Sequence, residues 1–319
     1  MAPITRKLSS DSRSDNRLNK ENFDEALIRQ PPGHPKHKCF FNHIWSPIFT
    51  PELIRSAKSY EPEKGDVFIA TYPKCGTTWT QHICSQLMIE DYEPTDGKEL
   101  FITSPMIDEK GAEFVKQLPS PRLLKTHFEW TDVPKSKDAK YIFVCRNPKD
   151  SIVSYYFMYR LLVAYDFADG EFDTFFDLFA DGKLAYGDYF DHLNGWLEHI
   201  NDPNVLALRY EDMLDDLPGT VVKLGKFIND RTSKLVDNEE VVARIAQNSS
   251  FDAMSHDQSR WVPQAYVNPT QAPFIRKGKK RDWINHLSKK QSDRIDELFK
   301  QKMKGTIAEH WWQEQMSWD

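Results

Sequence analysis

The chain has 319 residues, of which 39% are hydrophobic and 13% aromatic, enough to bury one large α/β core or two ordinary ones. Its net charge of −6 argues against a surface built to hold nucleic acid, although a small anionic ligand needs only a local basic pocket. With only 13 glycines, a fibrous or low-complexity chain is excluded.

Residues 1–22 are polar and rich in Ser, Arg, Asp and Asn, and read as a disordered tail. The start, from Met1 to Lys7, lacks the apolar core of a signal peptide, and no stretch approaches the roughly 18–20 apolar residues of a membrane span. The cysteines (Cys39, Cys75, Cys84 and Cys145) are irregularly spaced and do not form a disulfide framework. A soluble, cytoplasmic protein with free thiols and no membrane partner is expected. Residues 31–39 read as a turn-rich connector, and the spacing of His34, His37, Cys39 and His43 fits no zinc module. No repeat or later linker appears, so one domain over 40–319 is expected.

Four short runs, at 67–70, 122–125, 141–145 and 205–208, are apolar on both faces, as buried parallel strands are. Between and after them lie helical patterns. Trp79, Ile83 and Leu87 form a stripe in 78–90; Tyr189, Leu193, Trp196, Leu197 and Ile200 do so in 186–200, and Ile295, Leu298, Phe299 and Met303 in 292–303. Strands alternating with helices predict a single α/β domain whose central parallel sheet is flanked by helices. Ligands of such sheets bind at the C-terminal ends of the strands.

The first of these runs leads through Thr71-Tyr72-Pro73-Lys74-Cys75-Gly76-Thr77-Thr78-Trp79 directly into a helix. Free N–H groups at a helix N-terminus, backed by the helix dipole, make an anion site. Gly76 permits close backbone approach, Thr77 and Thr78 offer hydroxyls, and Lys74 supplies a cation. The order of residues is not that of the Walker pattern. The third run ends in Arg146-Asn147-Pro148-Lys149-Asp150, where Arg146 can fork onto a second phosphate, Pro148 and Asp150 suit a first helical turn, and Ser154 lies one turn on. A late basic element, Phe274-Ile275-Arg276-Lys277-Gly278-Lys279-Lys280-Arg281-Asp282-Trp283, is set among apolar residues rather than written as a free tail.

These three segments, in this order and spacing, resemble the cytosolic sulfotransferases. Residues 71–79 are similar to that family's T-Y-P-K-S-G-T-T-W with Cys75 in place of serine, 146–156 to R-N-x-K-D-x-x-V-S-Y-Y, and 276–283 to R-K-G-x-x-G-D-W. The resemblance runs from about residue 40 to the C-terminus and implies a nucleoside-triphosphate-hydrolase-like fold. It also implies the donor 3′-phosphoadenosine 5′-phosphosulfate, with no metal. On that basis Lys74, Cys75, Gly76, Thr77 and Thr78 would hold the 5′-phosphosulfate. Arg146, Ser154, Arg276, Lys277 and Gly278, with Phe274 and Ile275 beside them, would hold the 3′-phosphate side. Trp79 and Phe251 stand where the family stacks adenine, Tyr210 where it meets the base edge, and Ser249 where many members have threonine.

The same resemblance makes His127, in Lys125-Thr126-His127, the catalytic base. A hydroxyl acceptor is a poor nucleophile at neutral pH, and a neutral imidazole within reach takes its proton as the bond to sulfur forms. Lys74 would donate to the leaving oxygen, Lys125 would balance charge on the sulfuryl oxygens, and Ser154 would engage Lys74 until acceptor arrives. Two departures stand out. Arg281 replaces the motif's second glycine, which strains the loop if that position needs φ > 0, while Lys280 and Arg281 could add charge near the 3′-phosphate. The family's dimer motif is altered over 284–293, which argues against dimerisation by that route.

The acceptor is expected to be a small phenol, alcohol or amine. His127, Lys125 and Phe128 would meet it, with Phe40, Phe41, Phe101, Trp130, Tyr159, Phe167 and Trp261 near the pocket. Glu129 and the acidic residues of 165–173 would favour an amine-bearing phenol. Cys75, at a helix N-terminus, is expected to have a lowered pKa and to be reactive. Rival readings are a magnesium-dependent phosphotransferase, a carrier of the adenosine bisphosphate without turnover, and a relative that sulfonates an alcohol in order to dehydrate it.

Overall fold

The computed structural model describes residues 26–27, 31–90, 92 and 99–318; the polar tail over 1–22 lies outside the described residues. Ala26–Leu27 (β1), Lys38–Phe40 (β2) and His43–Trp45 (β3) pair antiparallel. The connector expected over 31–39 is therefore part of the packed fold. His37 is fully buried, shares a 2.8 Å hydrogen bond with the Tyr159 hydroxyl, and is pushed down to about 4 by desolvation.

The central sheet is Val67–Thr71 (β4), Leu123–Thr126 (β5), Lys140–Cys145 (β6) and Val205–Arg209 (β7), all parallel, in the order β5-β4-β6-β7. Each expected strand falls within one residue of its place at either end. β4 is buried at all five positions because alternate side chains feed opposite layers. Val67 and Ile69, with Ile142 and Val144 of β6, pack against Ile83 and Leu87. Phe68 and Ala70, with Tyr141 and Phe143, face the other way, where Phe143 stacks on Trp196 at 5.0 Å. Helices cover both faces, as the alternating pattern predicts.

The helices that build the site are Pro51–Lys58 (α1), Thr77–Met88 (α2), Glu99–Thr103 (α3), Ile107–Lys116 (α4, bent at Gly111) and Pro148–Leu161 (α5). No helix of the described residues is long and apolar enough to cross a membrane. α2 starts at Gly76, whose φ of 107° only glycine adopts without strain; a Cβ there would also stand 3.0 Å from the Tyr210 ring. No side chain caps its first amides.

α5 begins as its sequence suggests, with Pro148 in the first turn and the Asn147 side chain accepting from the Lys149 amide at 2.9 Å. The buried Asp150 carboxylate does more than favour the helix's positive end. It accepts the amides of Arg281 (2.8 Å) and Trp283 (3.1 Å), fastening the late basic loop to α5. Arg281 adopts φ 60°, so the strain foreseen for a non-glycine residue is present, and these bonds hold it in place. Asp150→Asn turns one acceptor into a donor facing a backbone amide. It should lower stability by about 1–3 kcal/mol, read as a lower urea midpoint; an unchanged midpoint would show that the loop does not depend on this carboxylate.

Candidate active site

The tips of β4, β5 and β6 and the late basic loop open onto one cavity of about 280 Å³. Its floor is the loop between β4 and α2, where Lys74 (φ 67°) and Gly76 turn the backbone twice into the left-handed region. Pro73, Lys74, Gly76, Thr77, Thr78 and Trp79 line it. Successive amides in such a turn, ahead of an uncapped helix, form an anion-binding concavity. The half-buried Lys74 ammonium lies 3.8 Å over the Phe274 ring. Desolvation, and then the charges of Arg146, Lys125 and Arg276, push its pKa down to about 7.

A second basic region lies across the cavity. The buried Arg146 guanidinium donates to the carbonyls of Lys74 (3.4 Å) and Lys279 (3.2 Å) and lies 4.2 Å from the Tyr210 ring. Its Nε is buried without a hydrogen-bond partner among the described residues. Arg276 and Lys277 both reach Asp282, at 2.6 and 3.2 Å. Burial alone would raise Asp282, but these bonds hold it at about 2. Gly278 (φ 58°) brings the loop against Phe251, whose ring would sit 2.4 Å from a Cβ there. Trp79 lies edge-on to Tyr210 and donates to the Ser249 carbonyl at 2.7 Å; the Ser249 hydroxyl accepts from Gln86. Ser154, Tyr210, Ser249, Phe251, Phe274 and Ile275 all line the cavity.

The third wall carries Lys125 and His127. His127 Nδ1 lies 2.8 Å from the Thr71 carbonyl oxygen, which can only accept. Nδ1 therefore bears the proton, and Nε2 of the neutral ring keeps its lone pair. Desolvation, followed by the Lys125 charge, pushes this imidazole well below its usual range, so it is neutral at pH 7. Beneath it lies a residue that sequence reading did not single out. The buried Asp108 carboxylate accepts the Thr126 hydroxyl (2.6 Å) and the His127 amide (2.9 Å). Asp108 has no motif around it, and only the packing of α4 on β5 reveals its role.

A strand–loop–helix, a cluster of cations and a neutral imidazole thus share one cavity. Residues 64–307 fit the family model described as a sulfotransferase domain. The chain belongs to the sulfotransferase family. It is 33% identical over 268 residues to the amine sulfotransferase of Oryctolagus cuniculus, covering 79% of this chain and 85% of that protein. It is 35% identical over 264 residues to sulfotransferase 1C2 of Rattus norvegicus, covering 78% and 86%. Mouse sulfotransferase SULT7A1, solved in complex with PAP, superposes with a TM-score of 0.68 at 30% identity, covering 84% of this chain and 94% of that one. The protein is an enzyme of the sulfotransferase type.

Several expectations for this sulfotransferase need correction. Cys75 does not line the cavity. Its thiol is fully buried, 3.4 Å from the Ser151 hydroxyl, and burial pushes it up to about 12 rather than down. Phe128 is also buried away from the cavity wall, edge-on to Trp45. Phe40, Trp130, Tyr159 and Phe167 pack elsewhere, Phe40 on Trp45 and Trp130 on His199. Of the aromatic residues expected near the acceptor, only Phe101 and Trp261 line the cavity, joined by Phe49, Met106, Met158, Tyr165, Tyr186 and Tyr266. Lys280 and Arg281 are turned from it, Lys280 to Asp215 and Arg281 to the Ser317 carbonyl. Glu129 lies among Asp132, Asp188 and Asp191, and the ion pair of Asp166 with Lys36 is exposed; neither acid lines the cavity.

A short pulse of N-ethylmaleimide on the native protein should therefore label the half-buried Cys39 and spare Cys75, which should react only after unfolding. Labelling of Cys75 at the rate of Cys39 would contradict this placement.

Proposed function

We propose that this sulfotransferase transfers the sulfonate group of 3′-phosphoadenosine 5′-phosphosulfate to a hydroxyl, or an amine, of a small aromatic or apolar acceptor by in-line displacement. The carrying observation is the single cavity that joins the neutral His127 imidazole to two separate cationic sites, one with the buried Arg146 Nε unpartnered. A donor with phosphate groups at both ends of one nucleoside fits that arrangement. The PAP complex of the mouse relative supports the same donor.

When bound, the donor supplies the sulfonate and a stable leaving group; the chain's own residues do the rest. Lys74, Gly76, Thr77 and Thr78 would hold the 5′ end. Arg146, Ser154, Arg276, Lys277 and Gly278 would hold the 3′-phosphate, with Asp282 giving up part of its hold on the two cations. Trp79 and Phe251 would sandwich the base and Tyr210 would meet its edge, while Ser249 positions Trp79 through its carbonyl. His127 Nε2 would take the acceptor proton, an effect worth roughly 10²–10⁴ in rate. Lys74, charged by the arriving phosphates, would stabilise the leaving oxygen, and Lys125 the sulfuryl oxygens. The apolar wall from Phe49 to Tyr266 suits a planar or apolar acceptor.

The test is transfer of ³⁵S-sulfonate from labelled donor to phenols, sterols and catecholamines, with His127→Ala alongside. Wild type should transfer, and the variant should lose roughly 10²–10⁴ of kcat while binding the bisphosphate as before. A wild type that binds the bisphosphate tightly yet transfers to nothing would make the protein a carrier.

A further inference from the structure

Two carboxylates, Asp282 and Glu109, line the cavity. Asp282 is committed to Arg276 and Lys277 at the donor end. Glu109 lies in the first turn of α4, one residue past the Asp108 that grips His127, and shares the acceptor wall with Phe101, Met106, Trp261 and Tyr266. Its side chain is only 21% exposed. A half-sheltered carboxylate on an otherwise apolar wall calls for a cationic partner, because a guest that strips water from the charge without replacing its hydrogen bonds is costly.

The chain shows what suits this corner. The Lys110 ammonium lies 2.8 Å from a Glu109 carboxylate oxygen and 5.7 Å from the centre of the Phe101 ring. Phe101 in turn contacts the Tyr266 ring at 6.3 Å. An ammonium is thus already held between carboxylate and ring face, by a charge-assisted hydrogen bond on one side and a cation–π contact on the other. Lys110 is flexible and 29% exposed, so it can withdraw to water when another cation arrives.

We propose that Glu109, with Phe101 and Tyr266, is a subsite for a cationic nitrogen of the acceptor, so that preferred acceptors carry a protonated amine as well as the hydroxyl presented to His127. This rests on the sulfonate-transfer reading and names its substrate class. Glu109 is a specificity-determining residue; it takes no part in proton transfer. Its other evident partner is Lys125, whose charge it stabilises through space. A role confined to that balance would act on all acceptors alike.

The experiment compares kcat/KM for tyramine and 4-ethylphenol, which differ by the ammonium group alone, in the full-length wild type and Glu109→Gln. The wild type should prefer tyramine, and the ratio of tyramine to 4-ethylphenol should fall at least about tenfold in the variant, the scale of one charge-assisted hydrogen bond. Lys110→Ala, which removes the internal competitor, should raise the ratio. Equal losses on both acceptors would leave the ratio unchanged in Glu109→Gln, assign the carboxylate to Lys125 and overturn the proposal. A wild type that transfers to neither of these two while transferring to other acceptors of the wider panel would overturn this proposal and leave the transfer reading standing.

Discussion

Parallel strands end on a common edge, and in this chain three of those ends lead to a cation. Lys74 follows β4, Lys125 lies on β5, Arg146 follows β6, and the loop fastened by Asp150 adds Arg276. Beyond desolvation, Arg146, Lys125 and Arg276 all act on Lys74 to lower its pKa, so the rest of the site is shaped by how that mutual repulsion is relieved. Arg276 and Lys277 turn to Asp282, Lys74 lies over Phe274, Arg146 lies against Tyr210, and Lys74 gives up part of its charge. On the proposed reading, a ligand carrying anionic charge at both ends would relieve that repulsion further.

The same crowding acts on His127, the proposed base. Desolvation and the nearby Lys125 charge keep His127 neutral, while the Thr71 carbonyl fixes its tautomer. Asp108 holds the turn after β5 by the Thr126 hydroxyl and the His127 amide, so the imidazole is carried on a braced backbone. One packing arrangement thus links the loop after β4 to His127: Thr71 precedes the loop, shares a 2.6 Å hydroxyl contact with Thr77 of α2, and offers its carbonyl to His127.

The sheet was legible because its strands are short β-branched and aromatic runs buried on both faces, and their places follow from composition alone. The strand–loop–helix over 67–79 was legible from an apolar run leading through Gly76 into a helical stripe, since the turn demands a glycine at a fixed place. What failed depended on contacts between distant segments. Cys75 read as a reactive thiol from its position before a helix, yet Ser151 and the surrounding core enclose it. Phe128 follows His127 in sequence, but its side chain points to Trp45. Glu129 looked like the acceptor's carboxylate, whereas Glu109 occupies the wall because the start of α4 runs beside β5. Asp108 and Asp282 carry no sequence signal for their partners at all.

A ligand bearing two phosphate sites would recharge this partly discharged cluster of cations. Calorimetric titration with 3′-phosphoadenosine 5′-phosphate at pH 7.5, in buffers of different ionisation enthalpy, counts the protons exchanged on binding. A lysine with a pKa of about 7 is mostly neutral at that pH and becomes charged beside the ligand, so affinity should weaken as pH rises through 7. Wild type should take up more protons than Lys74→Ala on binding. Equal proton uptake in the two proteins, with equal affinity across that pH range, would contradict the account.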